Sequence, residues 1–143
     1  MRSARHGDHE MTDRALITVA TDLAGEFKPG RTCAAGDVAA AILTPGGNVY
    51  TGICLDASCS LGFCAEQAAV AEMLKARESD IAVVVAIDDE GHILAPCGRC
   101  RELMWQVSPR NREARIILGP ERSRPLSELL PLHYQGIGAS LGQ

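Results

Sequence analysis

Three cysteines stand where we expect helices to begin, and this placement favours thiolates. Cys64 opens a helix-forming stretch, and Cys97 and Cys100 lie in the sequence PCGRC at the start of another. A helix N-terminus carries about half a positive elementary charge and free N–H groups, both of which favour an ionised thiol. Because positions i and i+3 share a helix face, Cys97 and Cys100 can bind one ion together, with Cys64 as a third ligand. Three thiolates favour zinc.

The number of protein ligands distinguishes a structural zinc site from a catalytic one. A structural site fills four positions with protein ligands, whereas a catalytic site leaves the fourth position to water. Candidates for a fourth ligand are Cys54, Cys59 and His92, but none of them provides a second C-x-x-C spacing. Glu66, two residues after Cys64, favours the catalytic alternative, because an activated water needs a carboxylate beside it to move protons.

The spacing between Cys64 and Glu66 sets a condition on the backbone. Residues two apart on a regular helix point about 200° away from each other. Cys64 must therefore be an N-cap with non-helical dihedral angles, so that its sulfur reaches the metal while Glu66 faces the open position. Two alternatives stay open, namely a closed structural zinc site and a redox dithiol formed by Cys97 and Cys100.

Alternating strands and helices must position these side chains. The predicted elements are a helix over 12–27, strands over 38–43 and 49–55, a helix over 64–76, a strand over 81–87, a helix over 97–107 and a strand over 115–118, and residues 93–95 lead into Pro96. Helical spacing of apolar residues, the PGGN turn at 45–48 and the β-branched run at 81–87 carry these assignments. Together they predict an α/β fold: a three-layer α/β/α sandwich with a mixed sheet of about five strands.

Length and composition indicate one domain. With 143 residues and 15.2 kDa, we predict a flexible extension at 1–10 and a single domain over 11–143. Hydrophobic residues at 46% and charged residues at 22% exclude a disordered chain. The apolar runs are far shorter than the roughly 20 residues of a membrane helix, and the start has no apolar signal segment, which predicts a cytoplasmic protein. Because the cytoplasm is reducing, six cysteines in such a protein favour metal binding or catalysis over disulfides.

An Arg-rich stretch begins within the C-x-x-C motif formed by Cys97 and Cys100. Residues 99–124 carry seven Arg against three acidic residues, although the whole chain has a net charge of −4. Such a stretch can indicate a nucleic-acid footprint. Arg110, Arg112, Arg122 and Arg124, however, fall in predicted connecting segments, which is typical of a solvated surface. We therefore predict no nucleic-acid partner.

Several motifs resemble a known enzyme family. The sequence CAE at 64–66 followed by PCGRC at 96–100 resembles the zinc-dependent nucleobase and nucleoside deaminases. VAAAILTPGGNVYTG at 38–52 looks like the opening hairpin of that family, and LSELLPLHY at 126–134 looks like its C-terminal segment. With a cysteine, Cys64, as the first zinc ligand, the sequence resembles the small cytidine and blasticidin-S deaminases. The motifs, above all VAIDDEGHILAPCGRCRE at 85–102, most closely resemble blasticidin-S deaminase.

The resemblance implies a function and roles for individual residues. It implies one zinc ion per chain bound by Cys64, Cys97 and Cys100, with Glu66 as the residue that moves protons. The reaction would be hydrolytic deamination of a cytosine-type nucleoside, cytidine or deoxycytidine, or of the antibiotic blasticidin S, with release of ammonia. Backbone groups near Ala65 and Pro96 would contact the base. The small relatives are commonly homotetramers of pyrimidine salvage, which implies a tetramer here.

Two positions depart from the cytidine deaminase pattern. The Asn and Glu that hold the ribose in cytidine deaminases correspond here to Cys54 and Asp56. A modified or sugar-free aminopyrimidine therefore stays an alternative substrate, since a thiol lacks the two-sided hydrogen bonding of an amide. Gln67 stands where many relatives have an Arg after the catalytic Glu, which makes Arg99 and Arg101 the candidates for offsetting the thiolate charge.

Overall fold

The computed structural model describes residues 10–134. The strands are β1 (Phe27–Gly30), β2 (Cys33–Leu43), β3 (Val49–Ala57), β4 (Val83–Asp88), β5 (Ile93–Leu94), β6 (Arg115–Gly119) and β7 (Arg122–Pro125). The helices are α1 (Asp13–Leu23), α2 (Ala65–Lys75), α3 (Gly98–Val107) and α4 (Leu126–Leu129), with 3₁₀ turns at Ser58–Ser60 and Pro109–Glu113. Residues 1–9 of the predicted extension lie outside the described residues. Within 10–134, no helix is long and apolar enough to cross a bilayer.

The long strand β2 organises a mixed sheet. It pairs antiparallel with β3 along one edge, and with β1 and then β4 along the other. Strand β4 runs parallel to β6, whose other edge pairs antiparallel with β7, and the two-residue β5 pairs antiparallel with the end of β4. The predicted mixed sheet is confirmed. The described residues contain seven strands rather than about five, and those without a predicted counterpart are β1, β5 and β7.

Both faces of the sheet are buried, because successive residues of a strand point to opposite faces. One core contains Ala40, Ile42, Ala65, Ala69, Val70, Met73, Ile81, Val84, Ala86, Met104, Ala114, Ile116 and Leu126, and it lies between the sheet and α2, α3 and α4. The other contains Leu16, Ala20, Ala41, Val83, Val85, Ile87 and Ile117, between the sheet and α1. The predicted three-layer α/β/α arrangement is confirmed.

Helix α1 begins as predicted but ends earlier. The hydroxyl of Thr12 caps it by accepting a backbone hydrogen bond of 3.1 Å from the first turn. The prediction that this helix continues to Phe27 is wrong, because α1 ends at Leu23 and Phe27 begins β1 with 53% of its surface exposed. The N–H of Gly25 donates to the carbonyl of Gly36 at 2.7 Å, so the chain turns toward β2 at this point.

Four of the seven Arg side chains in the Arg-rich stretch form ion pairs. The pairs are Arg110–Asp80, Arg112–Glu113, Arg115–Asp13 and Arg124–Glu128. The prediction that Arg122 and Arg124 lie in a connecting segment is wrong, because both belong to β7. Exposed ion pairs add little stability. They do reduce the positive charge that would attract a polyanion, and the absence of a nucleic-acid partner stays a prediction.

Asn111 is fully buried and joins three backbone segments. Its Oδ1 accepts a hydrogen bond from the N–H of Ile81 at 2.7 Å, and its Nδ2 donates to the carbonyls of Ser79 at 2.9 Å and Met104 at 2.8 Å. In Asn111→Ala these groups lose their partner, so we expect the free energy of unfolding to fall by about 3 kcal/mol. Urea denaturation measures the change, with exposed Arg112→Ala as control. A loss no larger than that of the control would contradict the prediction.

The single tryptophan connects α3 to the segment after α4. The rings of Trp105 and His133 are stacked, with their centroids 3.4 Å apart and their planes inclined by 16°. Because Trp105 lies on α3, the stack attaches the end of the described chain to the helix that follows Cys97.

Candidate active site

Two helices begin next to each other, each with a cysteine as its N-cap. Cys64 precedes α2 with φ −74° and ψ 155°, and Cys97 precedes α3 with φ −67° and ψ 168°. The predicted extended backbone at Cys64 is confirmed. Cys100 lies in the first turn of α3 and is fully buried. The positive ends of both helix dipoles therefore lie next to the sulfur atoms.

The three sulfur atoms form one cluster. The Sγ atom of Cys97 lies 3.6 Å from that of Cys64 and 3.6 Å from that of Cys100. All three lie within 4.8 Å of one another. Zinc–sulfur bonds of about 2.3 Å in tetrahedral geometry place neighbouring thiolates about 3.8 Å apart. The donor set therefore fits one Zn²⁺ per chain.

Glu66 adds a carboxylate to this cluster. Its side chain belongs to the first turn of α2, it is only 6% exposed, and its Oε2 lies 3.6 Å from the Sγ atom of Cys100. Among the described residues, the fourth-ligand candidates Cys54, Cys59 and His92 do not belong to the cluster. Three protein ligands with a buried carboxylate beside them are the arrangement of an open site rather than of a closed structural one.

Protonation of the thiols shows why a cation suits the cluster. Burial, followed by the negative charge of Glu66, raises the pKa of Cys100, and burial also raises the pKa of Cys64. Burial opposes ionisation of Cys97 as well, but hydrogen bonds, first from the backbone N–H of Cys100, lower the pKa of the Cys97 thiol below its ordinary value. Ionising all three thiols beside a carboxylate requires a compensating positive charge, which a divalent metal supplies.

A cleft of about 460 Å³ opens over the cluster. Its lining residues are Asp37, Val38, Cys54, Leu55, Asp56, Gly62, Phe63, Cys64, Ala65, Glu66, Leu94, Ala95, Cys97 and Arg99. Three of the four predicted substrate-binding residues, Cys54, Asp56 and Ala65, are thus in the cleft. The fourth, Pro96, is buried, and its sequence neighbours Ala95 and Cys97 line the cleft in its place.

The two candidate arginines have different surroundings. Arg99 is exposed and lines the cleft. Arg101 does not line it, since its Nε donates to the carbonyl of Pro96 at 2.8 Å and its Nη1 donates to the carbonyl of Leu129 at 3.1 Å. Arg101 therefore connects the loop before Cys97 to α4, whereas the charge of Arg99 is available to the cleft.

Sequence reasoning missed Asp37, Phe63 and Leu94 as lining residues of the cleft. Asp37 lies in an irregular part of β2, which the predicted strand did not include. The available signal was Gly36, because a glycine within a strand pattern often marks a bulge. Its φ of +85° is in the region that favours glycine.

Comparisons with known proteins agree with this site. Residues 10–113 match the family model described as the cytidine and deoxycytidylate deaminase zinc-binding region. The chain belongs to this family. It is 33% identical over 109 residues to a cytidine deaminase of Mycobacterium tuberculosis, which covers 76% of this chain and 77% of the relative. A cytidine deaminase of Halalkalibacterium halodurans is 30% identical over 97 residues, covering 66% and 74%.

Solved structures of family members have the same fold. The crystal structure of cytidine deaminase from Mycobacterium tuberculosis superposes with a TM-score of 0.71 at 32% identity, covering 85% of this chain and 96% of that one. The enzyme from Burkholderia pseudomallei gives a TM-score of 0.67 at 27% identity, covering 87% and 100%. The predicted cytidine deaminase family, the fold class and the zinc cofactor are confirmed, and the closer resemblance to blasticidin-S deaminase stays a prediction.

Proposed function

We propose that this protein is a zinc-dependent hydrolase that converts the 4-amino group of a cytosine-type nucleoside to a 4-oxo group and releases ammonia. One observation carries the proposal. The buried carboxylate of Glu66 lies 3.6 Å from a sulfur atom of the three-cysteine cluster, at the bottom of a cleft. A zinc site with three thiolates and an adjacent proton acceptor supports hydrolysis rather than a purely structural role.

The mechanism assigns metal binding to Cys64, Cys97 and Cys100 and proton transfer to Glu66. Zinc, when bound, supplies Lewis-acid activation of a water molecule. With zinc bound, the carboxylate of Glu66 would accept a proton from the attacking water and deliver it to N3 of the base while the oxygen adds to C4. The same carboxylate then moves the second proton of the water to the amino group, and the C4–N bond breaks to release ammonia. Backbone groups near Ala65 and Pro96 would orient the base.

Arg99 supplies the positive charge that the site needs. Three thiolates leave a bound zinc ion with a net negative charge, which weakens its Lewis acidity. Arg99 lines the cleft, whereas Arg101 is held by two backbone carbonyls. We therefore assign charge compensation to Arg99, together with the N-termini of α2 and α3, and a positioning role to Arg101.

Two substrates fit different features of the cleft. Cytidine or deoxycytidine is the first candidate, and it is supported by the family match and by the sulfur–carboxylate cluster. Blasticidin S is the second, favoured by the exposed carboxylates of Asp37 and Asp56 in the cleft, because this antibiotic carries amino and guanidinium groups beyond its cytosine. A sugar-free aminopyrimidine is the alternative if a substituent on N1 of the base contributes nothing to binding.

Removal of the metal tests the reaction class. We expect zinc-loaded protein to release ammonia from at least one of cytidine, deoxycytidine, cytosine and blasticidin S. Protein treated with a chelator should lose at least about 99% of this rate, because the metal supplies the Lewis acid that activates the water. Adding one equivalent of zinc should restore the rate. Activity that survives without metal, or dithiol oxidoreductase activity of the metal-free protein, would contradict the proposal.

We further propose a homotetramer that works in pyrimidine salvage in the cytoplasm. The family resemblance supports association, and Leu61 and Leu132, which are 68% and 88% exposed, are apolar side chains that an interface between subunits would cover. A small-molecule substrate agrees with a cleft of about 460 Å³.

A further inference from the structure

The cleft contains one acidic side chain, Asp37, to which neither the sequence nor the family match gave a role. Asp37 comes from β2, on the sheet side of the cleft, whereas the sulfur cluster comes from α2 and α3. On a cytosine ring, C4 and N1 lie on opposite sides. With C4 at the sulfur cluster, the substituent on N1 therefore extends away from the metal, toward the remaining lining residues.

Asp37 is held by a bulge of β2. Between two points of the register, β2 advances four residues, from Ala35 to Ala39, while β3 advances two, from Leu55 to Ile53. Gly36 lies in this bulge with φ +85°, and a Cβ atom there would be 2.5 Å from the carbonyl oxygen of Gly25. Bulges of this kind commonly redirect a side chain next to an active site.

Backbone hydrogen bonds fix both sides of the bulge. The carbonyl of Gly36 accepts from the N–H of Gly25 at 2.7 Å, and the carbonyl of Asp37 accepts from the N–H of Asp89 at 2.8 Å. The backbone that carries the Asp37 carboxylate is thus attached to the loop after α1 and to the turn after β4. This attachment preorganises the side chain for binding.

The carboxylate itself is oriented by Cys54. The Sγ atom of Cys54 donates to Oδ1 of Asp37 at 2.6 Å and accepts from the N–H of Val38 at 3.4 Å. Burial, and then the hydrogen bond to Asp37, raises the pKa of the Cys54 thiol, which keeps it a donor. No Lys or Arg pairs with Asp37 among the described ion pairs. Asp37 is exposed and lines the cleft, and among the described residues no hydrogen bond to its Oδ2 is formed.

We propose that Asp37 is a specificity-determining residue that accepts hydrogen bonds from hydroxyl or amino donors on the N1 substituent of the substrate, with Cys54 as its positioning residue. This inference rests on the proposed function. Cys54 thus acts through Asp37 rather than on the substrate directly. The substrate class is a cytosine with a donor-bearing substituent, and a substituent without donors is a poor ligand.

The test compares cytidine with 1-methylcytosine, which has the same base without sugar hydroxyls. In the zinc-loaded enzyme, the ratio of their kcat/KM values should fall about tenfold in Asp37→Asn, because a charged acceptor becomes a neutral amide. Asp22→Asn is the matched control, since it removes the same charge from an exposed residue of α1 that does not line the cleft. Cys54→Ser, which keeps a donor, should preserve the ratio, and Cys54→Ala should lower it.

Binding separates this inference from the proposed function. The same ratio is measured as Kd values by calorimetry on zinc-loaded Glu66→Gln, with and without Asp37→Asn, so that no turnover is required. An unchanged ratio, or an equal loss for both ligands, overturns the role of Asp37 while deamination by the wild type stands. Binding without deamination overturns the proposed function, and the Kd ratio still decides on Asp37. Absence of both binding and turnover overturns both.

Discussion

Glu66→Gln is expected to abolish ammonia release while zinc stays bound. The amide has the size of the carboxylate but cannot accept a proton, and Glu66 is the buried acid next to the sulfur cluster. Proton transfer by a positioned side chain contributes about 10²–10⁴-fold to a rate, so we expect kcat to fall about 10³-fold or more. Steady-state ammonia release gives kcat, and atomic absorption gives the zinc content per chain.

The control for Glu66→Gln is Glu121→Gln, which removes an equal charge from the exposed turn between β6 and β7. It should keep both full activity and full zinc content. If Glu66→Gln retained more than about a tenth of the wild-type kcat, Glu66 would not be the proton carrier. If it lost zinc instead, the carboxylate would belong to metal binding, and the assignment of roles within the cluster would be wrong.

Gly52→Ala is expected to destabilise the protein and the site together. A Cβ atom at Gly52 would lie 2.3 Å from the backbone nitrogen of Ala69 and 2.5 Å from the carbonyl oxygen of Ala65. Both contacts are with the backbone of α2, so the helix must move away from β3. We expect the free energy of unfolding to fall by about 3 kcal/mol. Because α2 carries Glu66 and follows Cys64, the zinc affinity should fall as well.

Chemical denaturation and a competition titration with a chromogenic chelator measure the two effects of Gly52→Ala. The matched control is Gly30→Ala, since a Cβ atom at Gly30 meets nothing within 4 Å. The control should change the free energy of unfolding by less than about 1 kcal/mol. Equal stability of the two variants would mean that α2 can shift on β3 at little cost, and that the close approach at Gly52 does not fix the site.

The local chemistry of the site could be predicted from residue types and their spacing in the sequence. Cys64 and Glu66 are two residues apart, so both can face one metal site only if Cys64 is an N-cap. The backbone at Cys64 is non-helical, as predicted. The C-x-x-C spacing of Cys97 and Cys100 placed two sulfurs on one helix turn. Such inferences succeed because helix geometry alone relates the residues.

Elements without an apolar pattern were not predictable in the same way. Strand β1 is exposed along its whole length and the first three of the four residues of β7 are polar, so neither has the hydrophobic alternation that identifies a strand. Their backbone hydrogen bonds to β2 and β6 form only once those neighbours are in place. The cleft position of Asp37 was missed for a similar reason, because the bulge that turns it depends on contacts with Gly25 and Asp89.

The stack of Trp105 on His133 makes this protein convenient to follow by light. The chain has a single indole, so its fluorescence comes from one ring, against which an imidazole lies. Any change of emission spectrum or lifetime during unfolding or ligand titration therefore reports on one location. That location is the contact between α3, which begins at the sulfur cluster, and the last part of the described chain.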